Sequence, residues 1–168
     1  PTARLTANAI SDATNISIAD LPADINEIDG DHNGDNYVAY TYYIRNAGKE
    51  DVAYNAAITL DSYSKNADEA VRVIVYHNDE RTVYAKEARD GSPEPGTTPF
   101  VSQQVVCEYR NEDFLVGNVD KYTIVIFLEG DDPECVDAII GGSLQFSMNI
   151  YADDESATSL FVKWVQDI

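Results

Sequence analysis

The stretch that decides the fold is residues 121–150, KYTIVIFLEGDDPECVDAIIGGSLQFSMNI. Tyr122 to Leu128 is a β-branched and aromatic run without a breaker. Ser143 to Tyr151 alternates: Leu144, Phe146, Met148 and Ile150 fall on one face, and Gln145, Ser147, Asn149 and Tyr151 on the other. A period of two is a strand with one buried face. Between the two runs lies an acidic turn, Glu129-Gly130-Asp131-Asp132-Pro133-Glu134, that ends at Cys135. Two core strands joined by an acidic loop predict the centre of a sheet protein.

Upstream, the same period recurs. Val38, Tyr40, Tyr42 and Ile44 alternate with Tyr37, Ala39, Thr41 and Tyr43, and both faces are apolar enough for the inside of a sandwich. Asn46-Ala47-Gly48 ends that strand, and Val52 to Leu60 begins a second, antiparallel to the first on sequence proximity. Val71–Tyr76 and Thr82–Lys86 flank a hairpin-like His77-Asn78-Asp79-Glu80. Residues 88–98, with two glycines and two prolines, read as a long loop; Phe100 to Tyr109 reads as a strand carrying Cys107. Leu160 to Val165 is a terminal strand rather than a helix, because β-branched and aromatic residues dominate it. Eight to ten strands with almost no helix predict an all-β, antiparallel β-sandwich. Residues 1–20 read as an extended N-terminal segment, 21–36 as a linker or ligand loop, and 21–168 as one sandwich domain.

A chain of 168 residues, 44% hydrophobic and with 11 tyrosines, has the material for one packed core. Eleven basic residues against 30 acids give a formal charge of −19. Such a surface repels phosphate backbones and anionic lipids, so neither nucleic acid nor a membrane surface is an expected partner. No apolar run is long enough to cross a bilayer as a helix. Opening on Pro1 without a leader is expected of a mature, exported chain. Cys107 and Cys135 are the only cysteines; in an exported protein an even count predicts a disulfide between them, with two buried free thiols as the alternative.

The runs LEGDDPEC (128–135), IIGGSLQFSMNI (139–150) and GDNYVAYTYYIRNAGKEDVAYNAAITLDSYSKNADEAVRVIVYHN (34–78) resemble the TasA/camelysin family of secreted bacterial proteins, over roughly residues 34–152. The resemblance implies a jelly-roll sandwich, localisation outside the cell and assembly into extracellular matrix fibres. Some members are described as proteases. Here the H-E-x-x-H helix of the usual zinc protease is absent and the histidines are His32 and His77 alone, so catalysis is not expected. Together with the unpartnered N-terminus, the resemblance predicts a filament of copies of this chain built by donor-strand complementation. Arg4, Leu5, Thr6, Ala7, Asn8, Ala9 and Ile10 are the candidate donor strand, with a continuation to Ala19 possible in principle.

Three other constellations bear on ligands. Asp29-Gly30-Asp31-His32-Asn33-Gly34-Asp35 matches the D-x-D-x-N-G opening of a calcium loop, and Asp29, Asp31, Asn33 and Asp35 are its candidate Ca²⁺ ligands. Position twelve of that loop falls on Tyr40 instead of a glutamate, so a solvated turn is the competing reading. Glu129, Asp131, Asp132, Glu134 and Asp137 form a second acid cluster. The tyrosines of 37–43 suit either a sandwich core or a sugar-stacking face. A monomeric calcium- or carbohydrate-binding module is therefore the alternative to the filament subunit.

Overall fold

The computed structural model describes residues 2–9, 16–135, 143–152 and 160–164. The chain is an antiparallel β-sandwich. The smaller sheet has the order β1 (Thr2–Ala9), β10 (Leu144–Ala152), β4 (Val52–Tyr63), β8 (Val105–Phe114). The larger has the order β11 (Leu160–Trp164), β3 (Val38–Asn46), β9 (Val119–Leu128), β5 (Val71–His77), β6 (Glu80–Ala85), β7 (Thr98–Pro99). β2 (Gly30–Asp31) joins the outer edge of β3 beside β11. Both strands of the deciding stretch are interior: β9 lies between β3 and β5, and β10 between β1 and β4.

Most connections pass from one sheet to the other, so neighbours in sequence are seldom neighbours in a sheet. β3 and β4, expected to pair on sequence proximity, lie in opposite sheets. Sequence proximity gave no hint of this, because the Asn46–Asp51 turn is an arch and not a hairpin. Asn46 builds the arch: its buried carboxamide donates to the Glu50 and Phe114 carbonyls, at 2.9 Å each, and accepts from the Gly48 N–H. Two tight hairpins belong to the larger sheet, β2–β3, which turns at Asp35-Asn36, and β5–β6. In the latter Asn78, at φ 57°, fastens the turn to β9 by donating its N–H to the Lys121 carbonyl and accepting the Lys121 N–H at 2.9 Å.

Between the sheets lies the main core. The larger sheet contributes Tyr42, Ile44, Val71, Val73, Val75, Tyr122, Ile124 and Ile126. The smaller contributes Tyr54, Ala56, Ile58, Leu60, Phe114, Phe146, Met148 and Ile150. A second cluster covers the outer face of the larger sheet, where Ile25 packs with Ala39, Ile74, Val125 and Phe127, flanked by Ile16, Ile18 and Leu21. Residues 16–20, expected in the extended N-terminal segment, and 21–28, expected in a linker or ligand loop, together roof β9 and its neighbours. The sequence explains the need: Thr123, Val125 and Phe127 would otherwise face water, as alternating Tyr122, Ile124 and Ile126 already fill the inner face. Ser17 starts the 3₁₀ turn Ile18–Asp20 with a reciprocal capping box, and Ile16 is bonded to the end of β9 through Leu128 O (3.0 Å) and the Gly130 N–H (2.9 Å).

β8 begins later than expected, at Val105, and runs to Phe114 through Glu108, Arg110 and Glu112. It is an edge strand whose outward positions are charged, which hides it from a reading of apolar periodicity.

The roof yields a first prediction. Ile25 is 3% exposed, and Ile25→Ala should destabilise the chain by about 2–4 kcal/mol in urea unfolding. A loss below about 0.5 kcal/mol, the range of ordinary surface substitutions, would mean that the segment does not pack on the sheet.

Candidate functional site

The D-x-D-x-N-G segment does not close into a ligating loop. Gly30 and Asp31 pair with Thr41 and Tyr40 in an antiparallel ladder. Asn33 is spent on the backbone, its Oδ1 accepting the Ala39 N–H at 2.8 Å, and Asp31 Oδ1 accepts the Asn33 N–H at 3.4 Å. Asp29 Oδ1 accepts the Tyr43 hydroxyl at 2.5 Å. Burial and this bond push the Tyr43 phenol up to about 12. Asp35 is exposed. Among the described residues, the carboxylates of Asp29, Asp31 and Asp35 do not converge on a common point. The segment forms a hairpin into β3 instead, turning at Asp35-Asn36, and its three carboxylates lie apart.

Cys107 and Cys135 are not joined, so the expected disulfide is not formed in the structure. Cys107 is held in mid-strand opposite Ile58 and buried among core side chains, and burial pushes its thiol up to about 12. Cys135 ends the acidic loop, where its N–H donates to the Asp132 carbonyl at 2.9 Å. The Cys107 thiol, buried and far from ionisation, packs the core.

The tyrosines do not make an exposed stacking face. Tyr42 is 1% exposed, Tyr40 packs on the main core, and Tyr37 packs on the outer cluster. Their polar tips serve another purpose. The Tyr42 hydroxyl meets the Met148 sulfur across the sandwich, and the Tyr54 hydroxyl reaches Tyr122 (2.7 Å) and Asp120. Tyr84 and Tyr109 join hydroxyls at 3.0 Å. Each of these bonds links one sheet to the other.

His77 and Asp120 stand at the mouth of this network. The His77 ring stacks on Tyr122 with centroids 4.6 Å apart and meets Tyr109 edge-on at 5.4 Å. Its Nε2 lies 3.6 Å from Asp120 Oδ2, an ion-pair distance longer than a hydrogen bond. Asn111 donates to the same oxygen at 2.9 Å. Burial alone would raise the Asp120 carboxyl; His77, Tyr54 and Asn111 outweigh it and hold the group at about 2. Burial likewise drives the Tyr54, Tyr109 and Tyr122 phenols well above their usual range, so they remain donors near neutral pH. His32 sits apart, on the outer face, with Nε2 3.0 Å from Thr41 Oγ1; burial lowers it in spite of the nearby aspartates.

The second acid cluster is divided by the fold. Asp131 is exposed, and Glu129 turns back to accept the Asp131 N–H at 3.2 Å. Asp137 lies outside the described residues. Asp132 and Glu134 turn inward and meet Glu94, from the long 88–98 loop, within 4.8 Å of one another. Arg72 of β5 donates to Asp132 Oδ2 at 2.8 Å and lies 3.9 Å from Glu94. Arg72, Glu94 and Asp132 are each about 95% buried. Beside them opens a cleft of about 680 Å³, lined among others by Lys86, Arg89, Phe100 and Glu134. The lone arginine within the apolar run Val71–Tyr76 was the sequence signal for this group, since a charge on a buried strand needs a buried partner.

The Asp120 network predicts a pH dependence of defined sign. A carboxyl held at about 2 in the fold, against an ordinary 3.8, adds stability above about 4 that is lost as pH falls towards 2. The amount is on the order of 2 kcal/mol. Asp120→Asn should therefore be less stable than the parent at pH 7, and the gap should close between pH ~4 and ~2. A gap in the denaturation midpoint that stays constant over that range would refute the depressed carboxylate.

Compared with protein-family models, curated proteins and solved structures, the chain matches none of them.

Proposed function

We propose that this chain is a structural subunit of an extracellular filament, in which each copy lends its N-terminal strand to the next. The observation that carries this reading is the position of β1. It lies at one edge of the smaller sheet and is hydrogen-bonded to β10 alone, from Thr2 opposite Tyr151 to Ala9 opposite Leu144. In the single chain the segment is therefore docked on its own sheet rather than free.

Exchange between copies would conserve that ladder. Every pair from Thr2/Tyr151 to Ala9/Leu144 lost within one chain is remade between two, so backbone hydrogen bonding is nearly neutral in the exchange. The balance is then set by concentration and by new contacts between bodies. The body begins at Ile16, which is bonded to β9 and packed on the outer cluster. The lent strand consequently cannot continue to Ala19. Ile10, the last residue of the expected donor, lies outside the described residues with the connecting residues 11–15. That connection can span at most roughly 25 Å between Ala9 and Ile16. A head-to-tail contact of this kind has no built-in closure, and repeated it gives a filament of copies of this chain.

Arg4 and Asn149 are register partners in β1 and β10. With Cys135→Ser as background, Arg4→Cys combined with Asn149→Cys should give a ladder of covalent multimers on a non-reducing gel once filaments have formed. Cross-links confined to single chains at every protein concentration would sink the exchange. A truncation lacking residues 1–12 should stay folded yet form no filaments under electron microscopy.

A further inference from the structure

We propose that Glu94, Asp132 and Glu134 form a binding site for one divalent cation, with Ca²⁺ as the ion. The three carboxylates come from two loops, and one ligand oxygen of each lies within 4.8 Å of the others. Acids outnumber the bases around them: Arg72 is paired with Asp132 and Glu94, and Arg89, which also lies near Glu134, is paired with Glu69. A divalent ion would supply the missing positive charge.

Acid clusters are common in so acidic a chain, and the orphaned oxygens set this one apart. Glu94 is 95% buried, and its Oε1 has no hydrogen-bond partner; Glu134 Oε2 is buried and likewise has none. A buried carboxylate oxygen left without a donor is costly, so it marks a place where a cation or proton belongs. The remaining oxygens are engaged. Asp132 Oδ2 accepts from Arg72 (2.8 Å) and Oδ1 from the Glu134 N–H (2.8 Å), while Glu134 Oε1 accepts the Arg89 N–H (3.3 Å). These bonds aim the carboxylates, and the carboxyls also lie within hydrogen-bonding reach of one another, Glu94 with Glu134 and Glu134 with Asp132. Two protons are the competing occupants, for burial and Asp132 raise Glu94, and Asp132 and burial raise Glu134.

The donor set selects the class of ion. Oxygen ligands alone suit hard cations and not the softer zinc or copper. Ca²⁺ accepts irregular shells with carboxylates and water at 2.3–2.6 Å, as general coordination chemistry has it. Mg²⁺ demands a near-ideal octahedron, which three side chains beside a fixed Arg72 do not offer.

The test is calorimetric titration of the purified full chain with CaCl₂ at pH 7.5 in about 150 mM NaCl, which screens the diffuse surface charge. One saturable site per chain is expected, with Kd on the order of 10⁻⁴–10⁻³ M. At an excess of about 100-fold over Kd the midpoint of thermal unfolding should rise by roughly 5–10 °C. Glu94→Gln and Glu134→Gln should each weaken binding about tenfold or more. Glu134 is partly exposed, so its variant keeps the test open if the buried Glu94→Gln does not fold. Glu112→Gln, on an exposed acid paired with Arg110, should leave binding unchanged. Binding that survives both cluster variants, an equal response to MgCl₂, or no saturable binding at 10 mM CaCl₂ (about tenfold above the weakest expected Kd) would each overturn the proposal.

Discussion

β9 is buried on both faces, and each face has to be covered by a different part of the chain. Tyr122, Ile124 and Ile126 look into the sandwich; Val125 and Phe127 look away from the smaller sheet. The inner face is met by β4 and β10, which supply alternating side chains of their own. The outer face has no sheet opposite it and is closed by irregular chain. At one end the closure is apolar, made by Ile16, Ile18, Leu21 and Ile25. At the other it is ionic, with Arg72 held by Asp132 and Glu94. Arg72 and Ile74 are two residues apart on β5 and so share its outer face. One strand surface thus changes from a hydrophobic to a charged cover within a few ångströms.

Polar atoms inside the sandwich follow the same logic. A tyrosine brings a large apolar ring and one hydroxyl that needs a partner when buried. Here Tyr42, Tyr54, Tyr84, Tyr109 and Tyr122 direct those hydroxyls across the gap between the sheets. Asp120 is tolerated because Tyr54 and Asn111 donate to it and His77 stands 3.6 Å away. A Tyr→Phe change at Tyr54 would keep the packing with Phe114 and leave Asp120 short of a donor. The network fixes the relative setting of the sheets, which hydrophobic contact alone specifies loosely. Arg72 and Asp132 work by geometry in a similar way: losing either member of a buried pair is worse than never having had the pair.

Much of the fold was legible in local pattern. The period of two predicted β3, β4 and β10, and the breakerless run predicted β9 as a core strand. Pairing was not legible, because it depends on arches: nothing in Asn46-Ala47-Gly48 says that the chain crosses to the other sheet. Residues 16–28 misled for a related reason. Their apolar residues are too sparse to show a period, and they pack as a roof rather than as a strand. The candidate sites divide likewise. The Asp29–Asp35 spacing is that of a calcium loop, yet Gly30 and Asp31 were drawn into a ladder with β3. Asp132 and Glu134 were visible as acids in a cluster. Glu94 was not, since about 40 residues separate it from them and only tertiary packing joins them.

The edges of the sheets differ in how they are protected. β7 is two residues long and ends in Pro99, which cannot donate to a further strand. β8 carries Glu108, Arg110 and Glu112 outward, charges that discourage pairing with another chain. β10 has no such defence. Its inward residues Leu144, Phe146, Met148 and Ile150 belong to the main core, and its other face is Gln145, Ser147, Asn149 and Tyr151, all uncharged. Without β1, a row of unpaired backbone groups would run along a strand that helps to hold the sandwich together. In the single chain Thr2–Ala9 covers that row, and backbone hydrogen bonds do not by themselves discriminate between the chain's own N-terminus and another copy's. Under the proposed strand exchange, protection of the β10 edge and polymerisation would be two outcomes of one requirement, separated by which molecule supplies Thr2–Ala9.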